Sequence, residues 1–188
     1  MKTLFKINLI LYIFTIFYIA LTQFHFQVII SLLLLIPLYF IHHNFYQNGY
    51  LIYIYFSHVL GTTCHFYKYP YYDKIIHFCS GIIIVWLGYL ILKKEIQQKR
   101  LLYIFINCVE MSVAFLWEVF EYSGLIFFQY DASRHYTTGV HDTMQDMIIS
   151  LIGGILLTYI IYKYPTYIDN LCKQPQDNLD EVSLPPHT

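Results

Sequence analysis

Six stretches of the chain stay apolar for longer than a globular core requires: Ile7–Leu21, Phe26–Ile41, Tyr50–Thr63, Ile75–Leu92, Leu101–Phe127 and Met144–Tyr162. A hydrocarbon layer about 30 Å thick is crossed by roughly 20 mostly apolar residues in a helix. The runs are continuously apolar and do not alternate over about ten residues, which argues against a transmembrane barrel. The pattern predicts an all-α, polytopic transmembrane helix bundle of about six spans, occupying residues 1–163. The third run is the weakest, being short and carrying Ser57, His58, Gly61, Thr62 and Thr63, so five spans are the fallback. The fifth is long enough to tilt or to project beyond the bilayer.

Composition agrees. Of 188 residues, 57% are hydrophobic and only 12% charged, about half the charge of a soluble domain. The aromatic share is 20% and the mean hydropathy +0.50. Disorder, collagen and an ordinary soluble globule are excluded for the chain as a whole. A net charge of −1 gives no electrostatic case for nucleic acid. Membrane lipid is the expected partner, and no protein partner is indicated. After Tyr164 the composition changes, with Pro165, Pro175, Pro185 and Pro186 among Gln174, Gln176, Asp177, Asn178, Asp180 and Glu181. Residues 164–188 therefore read as a polar, disordered tail. Cys64, Cys79, Cys108 and Cys172 lack metal-type spacing and read as buried thiols, with a Cys64–Cys79 disulfide as the alternative.

Lysine and arginine set the orientation. The loop carrying Lys93, Lys94, Lys99 and Arg100 is expected in the cytoplasm. Six spans then put both termini there, with Lys2, Lys6, Lys163 and Lys173, and leave Lys68, Lys74 and Arg134 outside. Lys2 and Lys6 could also open a signal peptide, but Ala20-Leu21-Thr22 is a poor cleavage site, so an uncleaved span is expected.

Ionisable side chains within spans are costly and mark function by default. Asp73 and His77 share one helix face, as do Glu118 and Glu121, and as do Asp142 and Asp146. The predicted topology brings all three pairs to one depth near the extracytoplasmic face. Asp73 and Asp142 could instead be helix caps, and Glu118 and Glu121 could be solvated beyond the membrane edge. Arg134, Lys74 and His141 could close a purely structural ion network. Gly81, Gly153 and Gly154 would let the fourth and sixth spans approach closely.

The segments Tyr72-Asp73-Lys74-x-x-His77-Phe78, Trp117-Glu118-x-x-Glu121 and Asp142-Thr143-x-x-Asp146-Met147, with Gly153-Gly154, resemble the YjdF-like inner-membrane proteins of bacteria. A fainter resemblance extends to the VanZ-like proteins associated with glycopeptide resistance. The VanZ-like pattern has Glu-x-x-Gln where this chain has Glu118-x-x-Glu121. The YjdF-like pattern has Gly-Asp where this chain has His141-Asp142, which makes His141 an extra ligand candidate or a neutral change. The resemblance implies a multi-pass protein of the bacterial inner membrane and supplies no reaction.

Three functions fit these residues. Asp73, His77, Glu118, Glu121, Asp142 and Asp146 could hold a divalent ion such as Mg, Mn, Zn or Fe, with Glu118, Glu121 and Asp142 as candidate catalytic groups acting on a lipid-linked or envelope substrate. A proton-coupled carrier would use the carboxylates as a relay together with Glu110, about 16 Å along the same stripe from Glu121. A non-catalytic membrane module would use the cluster to fix helix register. Reporter fusions at Glu95 and His135 should report opposite compartments, and the same compartment for both would overturn the span count.

Overall fold

Every apolar run lies in helix, for the reason the pattern predicts: in lipid, a backbone must satisfy its own hydrogen bonds. The computed structural model describes residues 2–22, 25–41, 44–69, 71–131, 137 and 139–172, and among these there is no strand. In chain order the elements are α1 (Lys2–Thr22), α2 (His25–Leu33), α3 (Ile36–Phe40) and α4 (Asn44–Ile54). Then come a π-helix (Tyr55–Thr63), a short 3-10 turn (Phe66–Lys68), α5 (Tyr72–Leu92), α6 (Lys99–Phe128), α7 (Val140–Lys163) and α8 (Pro165–Cys172). Four of them, α1, α5, α6 and α7, are long and apolar enough to cross a membrane. The 21 residues of α5 extend about 31 Å and the 30 of α6 about 45 Å.

The second run is not one continuous helix. Pro37 lacks the N–H that Leu33 would need. Leu35 N turns back to Leu32 O at 3.1 Å and Leu38 N to Leu35 O at 3.1 Å, so the carbonyls of Ser31 and Leu34 lose their helical donors. Two tyrosines replace them. Tyr12 Oη donates to Ser31 O at 3.2 Å and Tyr50 Oη to Leu34 O at 3.0 Å. The third run begins earlier than its apolar stretch, at Asn44, and widens into the π-helix, where Cys64 N reaches Val59 O at 3.0 Å. Here too hydroxyls cover carbonyls: Tyr67 Oη donates to Ser57 O at 2.8 Å and Tyr72 Oη to Phe56 O at 2.6 Å. Ser31 Oγ and His58 Nε2, 2.7 Å apart and buried, tie α2 to the π-helix.

Two apolar cores result. Tyr12, Ile41, Tyr50, Leu51 and Ile54 form one around α1 and α4, and Val85, Tyr89, Leu102, Ile106, Ile161 and Ile168 form the other around α5, α6 and α7. Leu4, Phe14, Phe17, Leu116 and Ile152 lie exposed, as lipid-facing residues do. The α5–α7 seam is the tightest contact. A Cβ on Gly81 would overlap the Ser150 carbonyl, and one on Gly153 would overlap the Phe78 carbonyl. The expected close approach of these helices is therefore a contact of backbones.

Two expectations need correction. Helix does not stop at the change of composition, because Pro165 can open α8, where a missing N–H costs nothing. Ile168 then enters the core, while Asp169 accepts from Tyr89 Oη at 2.9 Å and lies 3.4 Å from Lys93 Nζ. Residues 173–188 lie outside the described residues. The thiols are not uniformly buried either: Cys64 and Cys108 are exposed and Cys79 half-buried, all three unbridged. Cys108 lies on an outward face of α6, where lipid replaces the apolar core as its surroundings, and Cys64 lies in the turn that closes the π-helix.

Gly81→Ala should lower stability by about 1–3 kcal/mol, because only separation of the two backbones makes room. Gly49→Ala, whose Cβ meets nothing within 4 Å, should be neutral or stabilising by up to about 1 kcal/mol. Thermal melting of both variants in detergent checks the contrast.

Candidate functional site

The first turns of α5 and α7 and the last third of α6 converge at one end of the three-helix seam. On α5, Asp73 and His77 are one turn apart, and His77 Nε2 lies 3.5 Å from Asp73 Oδ1. On α7, Asp142 and Asp146 repeat that spacing. Lys74 crosses from α5 to both, with Nζ 2.7 Å from Asp142 Oδ1 and 2.7 Å from Asp146 Oδ1. Asp146 Oδ1 is also 3.9 Å from His77 Nε2. From α6, Glu121 accepts from Trp117 Nε1 at 2.9 Å, and Glu118 lies buried one turn before it. His77, Asp73 and Asp146 are within electrostatic reach of Glu118, and His77 and Asp73 within reach of Glu121.

Burial makes these contacts consequential. Glu118 and Asp142 are each 6% exposed and Asp146 4%. Asp73, Lys74, His77 and Glu121 are half-buried. Among the described residues, five carboxyl groups thus face one lysine and one histidine in a poorly solvated seam, where unpaired charge is expensive.

One subset has the shape of a coordination site. Single ligand atoms of Asp73, His77 and Asp146 all lie within 4.8 Å of one another. Two ligands about 2.1 Å from a common ion at a tetrahedral angle sit about 3.4 Å apart, close to the 3.5 Å between His77 and Asp73. Two carboxylates and an imidazole are donors that such an ion accepts. The group could hold a metal.

All six sequence candidates therefore border one region, in distinct roles. Asp73, His77 and Asp146 form the compact group, Lys74 holds Asp142, and Glu118 and Glu121 line the α6 side. Of the two counter-charge candidates among the described residues, Lys74 and His141, Lys74 is the one at the carboxylates. His141 is exposed, its Nε2 2.9 Å from Gln145 Nε2, and Arg134 lies outside the described residues. Tyr67 is an addition that sequence reasoning missed. Tyr67, within electrostatic reach of Asp73 and Glu121, precedes α5 in a loop and carries no spacing signal.

Residues 2–166 match a family described as "Predicted membrane protein (DUF2238)". An uncharacterised protein of Thermotoga maritima is 30% identical over 120 residues, or 60% of this chain and 59% of that protein. The match thus spans less than two thirds of the relative's length. No solved structure matches the chain. The YjdF-like resemblance and the family match agree, and the match takes in α5, α6 and α7 with all the residues of the site. The chain belongs to the DUF2238 family of predicted membrane proteins.

Proposed function

We propose that this multi-pass membrane protein binds a divalent metal ion at Asp73, His77 and Asp146 and uses it on a lipid-linked or envelope substrate. The observation that carries the reading is the convergence of these three ligand atoms within 4.8 Å, from two helices. The imidazole favours Zn, Mn or Fe over Mg. A bound ion would polarise a phosphate or carbonyl oxygen or activate water. Glu118 and Glu121 flank the ligands and would serve as proton acceptor and donor. Asp142, held by Lys74 at 2.7 Å, would orient Asp146 through that shared lysine.

The orientation we assign follows the basic residues. Lys93, Lys94, Lys99 and Arg100 lie at the opposite ends of α5 and α6 from the site. With that loop and both termini cytoplasmic, the site faces the outer leaflet of a bacterial inner membrane. Its depth suits the headgroup or linkage of an amphiphile.

A second reading has its own observation. Lys74 pairs both aspartates at 2.7 Å, which a purely structural network requires and a metal site does not.

Metal analysis of protein purified without chelator separates them. The metal reading expects one divalent ion per chain, reduced at least tenfold by His77→Ala or Asp146→Asn, the loss that even outer-shell changes produce. Metal content should also fall between pH 7.5 and pH 5.5. The ion binds neutral imidazole and ionised carboxylate, so each proton taken up displaces it. Metal-free protein whose melting temperature ignores chelator and added Zn or Mn would leave the structural network.

Lys74→Met gives a further test. It strands two buried carboxylates, a loss of about 3–5 kcal/mol. If the ion site exists, millimolar Mn or Zn should recover much of the melting temperature. No recovery would count for the network.

A further inference from the structure

Beneath the cluster the seam stays polar. Asp142, Asp146, Ser150, Gly154 and Thr158 recur every fourth residue on α7, one stripe about 24 Å long. Opposite its lower half, α6 presents Glu110 and Asn107, one turn apart. Glu110 is fully buried, at 0% exposure. Its Oε1 accepts from Ser150 Oγ at 2.6 Å, and Ser150 Oγ lies 3.3 Å from Ser80 Oγ on α5. Among the described residues no lysine, arginine or histidine pairs with Glu110.

Two acceptors are left over. Glu110 Oε2 and Asn107 Oδ1 are both buried without a hydrogen-bond partner. They border the same spot, since Glu110 Cγ and Asn107 Oδ1 lie 3.3 Å and 3.5 Å from the position of a Cβ on Gly154. The asparagine cannot turn its amide nitrogen toward the acid. That nitrogen donates to Tyr103 O at 2.8 Å and to Thr158 Oγ1 at 2.8 Å, and a carbonyl can only accept. An ionised Glu110 would therefore be a buried charge without counter-charge beside an orphaned oxygen, and both are costly. A proton on Oε2 would remove the charge and supply a donor beside the orphaned oxygen.

We propose that Glu110 is a proton-binding site at mid-membrane depth, a neutral acid whose Oε2–H donates to Asn107 Oδ1 and whose proton exchanges toward the acidic cluster through Ser150 and Ser80. In uptake, a proton from water at the cluster joins Ser80 Oγ. That hydroxyl passes its own proton to Ser150 Oγ, and Ser150 passes its own to Glu110 Oε1. Both serines end neutral and the carboxylate becomes the acid. Ser80 must first swing its hydrogen from His77 O, which it meets at 2.7 Å, toward Ser150. A half-turn of the carboxyl group then presents the proton to Asn107. Metal at the cluster is not required.

Infrared spectroscopy of the full chain in lipid nanodiscs at neutral pH tests this directly. The spectrum of the native protein minus that of Glu110→Gln should contain one carbonyl band of a protonated carboxylic acid. Glutamine keeps the acceptor for Ser150 and a donor for Asn107, so the variant should fold. Ser150→Ala supplies an independent mark, because loss of its hydrogen bond should shift the same band to higher frequency. In D2O the native band should shift as the proton exchanges, and Ser150→Ala should slow that shift by about tenfold or more, the factor that corresponds to a barrier about 1.4 kcal/mol higher. A carboxylate signature, or an acid band indifferent to both substitutions, overturns the protonated state. An acid band that ignores D2O, or one that exchanges equally fast in Ser150→Ala, overturns the relay.

Discussion

The backbone contact between α5 and α7 sets the geometry of everything around it. In lipid no hydrophobic effect drives helices together, so they associate through van der Waals contact and polar bonds. Gly81 faces the Ser150 carbonyl and Gly153 faces the Phe78 carbonyl, with no side chain between. At that separation one lysine on α5 reaches two aspartates on α7, each at 2.7 Å. A shift of even one methyl diameter would stretch these bonds and carry Asp146 away from His77. The polar residues add to the seam, but the two missing side chains permit them to meet.

A different solution operates in the α1–α4 half. Interrupted helices are tolerated at membrane depth only where other groups cover the freed carbonyls. Tyr12 and Tyr50 do so at the break before Pro37, and Tyr67 and Tyr72 at the π-helix. Part of the high tyrosine content is thus structural: an apolar ring for the lipid or core, with a donor at its tip. π-helical turns occur often at functional sites. Here the turn places Gly61 under the ring of Tyr67, whose loop leads directly to Asp73.

The three ionisable pairs were legible because each stands at helical spacing within or at the start of an apolar run, and topology alone brings their helix ends to one level. The glycines were legible for the same reason. Hydropathy does not record hydrogen-bond register, so the widened turn at Tyr55–Thr63 left no trace in it. Pro37 was visible, but one residue barely lowers the average of a long apolar run, and the break it causes hid inside it. Ile168 was masked by polar neighbours although its burial anchors α8. Choosing Lys74 over His141 required knowing which side of α7 faces α5. The Glu110–Ser150 bond joins residues 40 apart in sequence, and no local spacing announces it.

Charge balance links the two polar levels of the seam. Among the described residues Lys74 can offset only one of the two carboxylates it touches, and His77 at most one more, so these groups alone leave the cluster of Asp73, Glu118, Glu121, Asp142 and Asp146 anionic unless protons or a cation join it. Two like charges 4 Å apart repel by about 4 kcal/mol at an effective dielectric constant of 20, too much for several such pairs to coexist. Protons and a divalent ion are then alternatives for the same deficit, and binding of the ion releases protons. A neutral acid one helical stretch deeper, joined by two serine hydroxyls, is chemically suited to receive one. With both proposals in place, the polar stripe of α7 would act as a single device, with cation exchange at its wet end and proton storage in its dry middle.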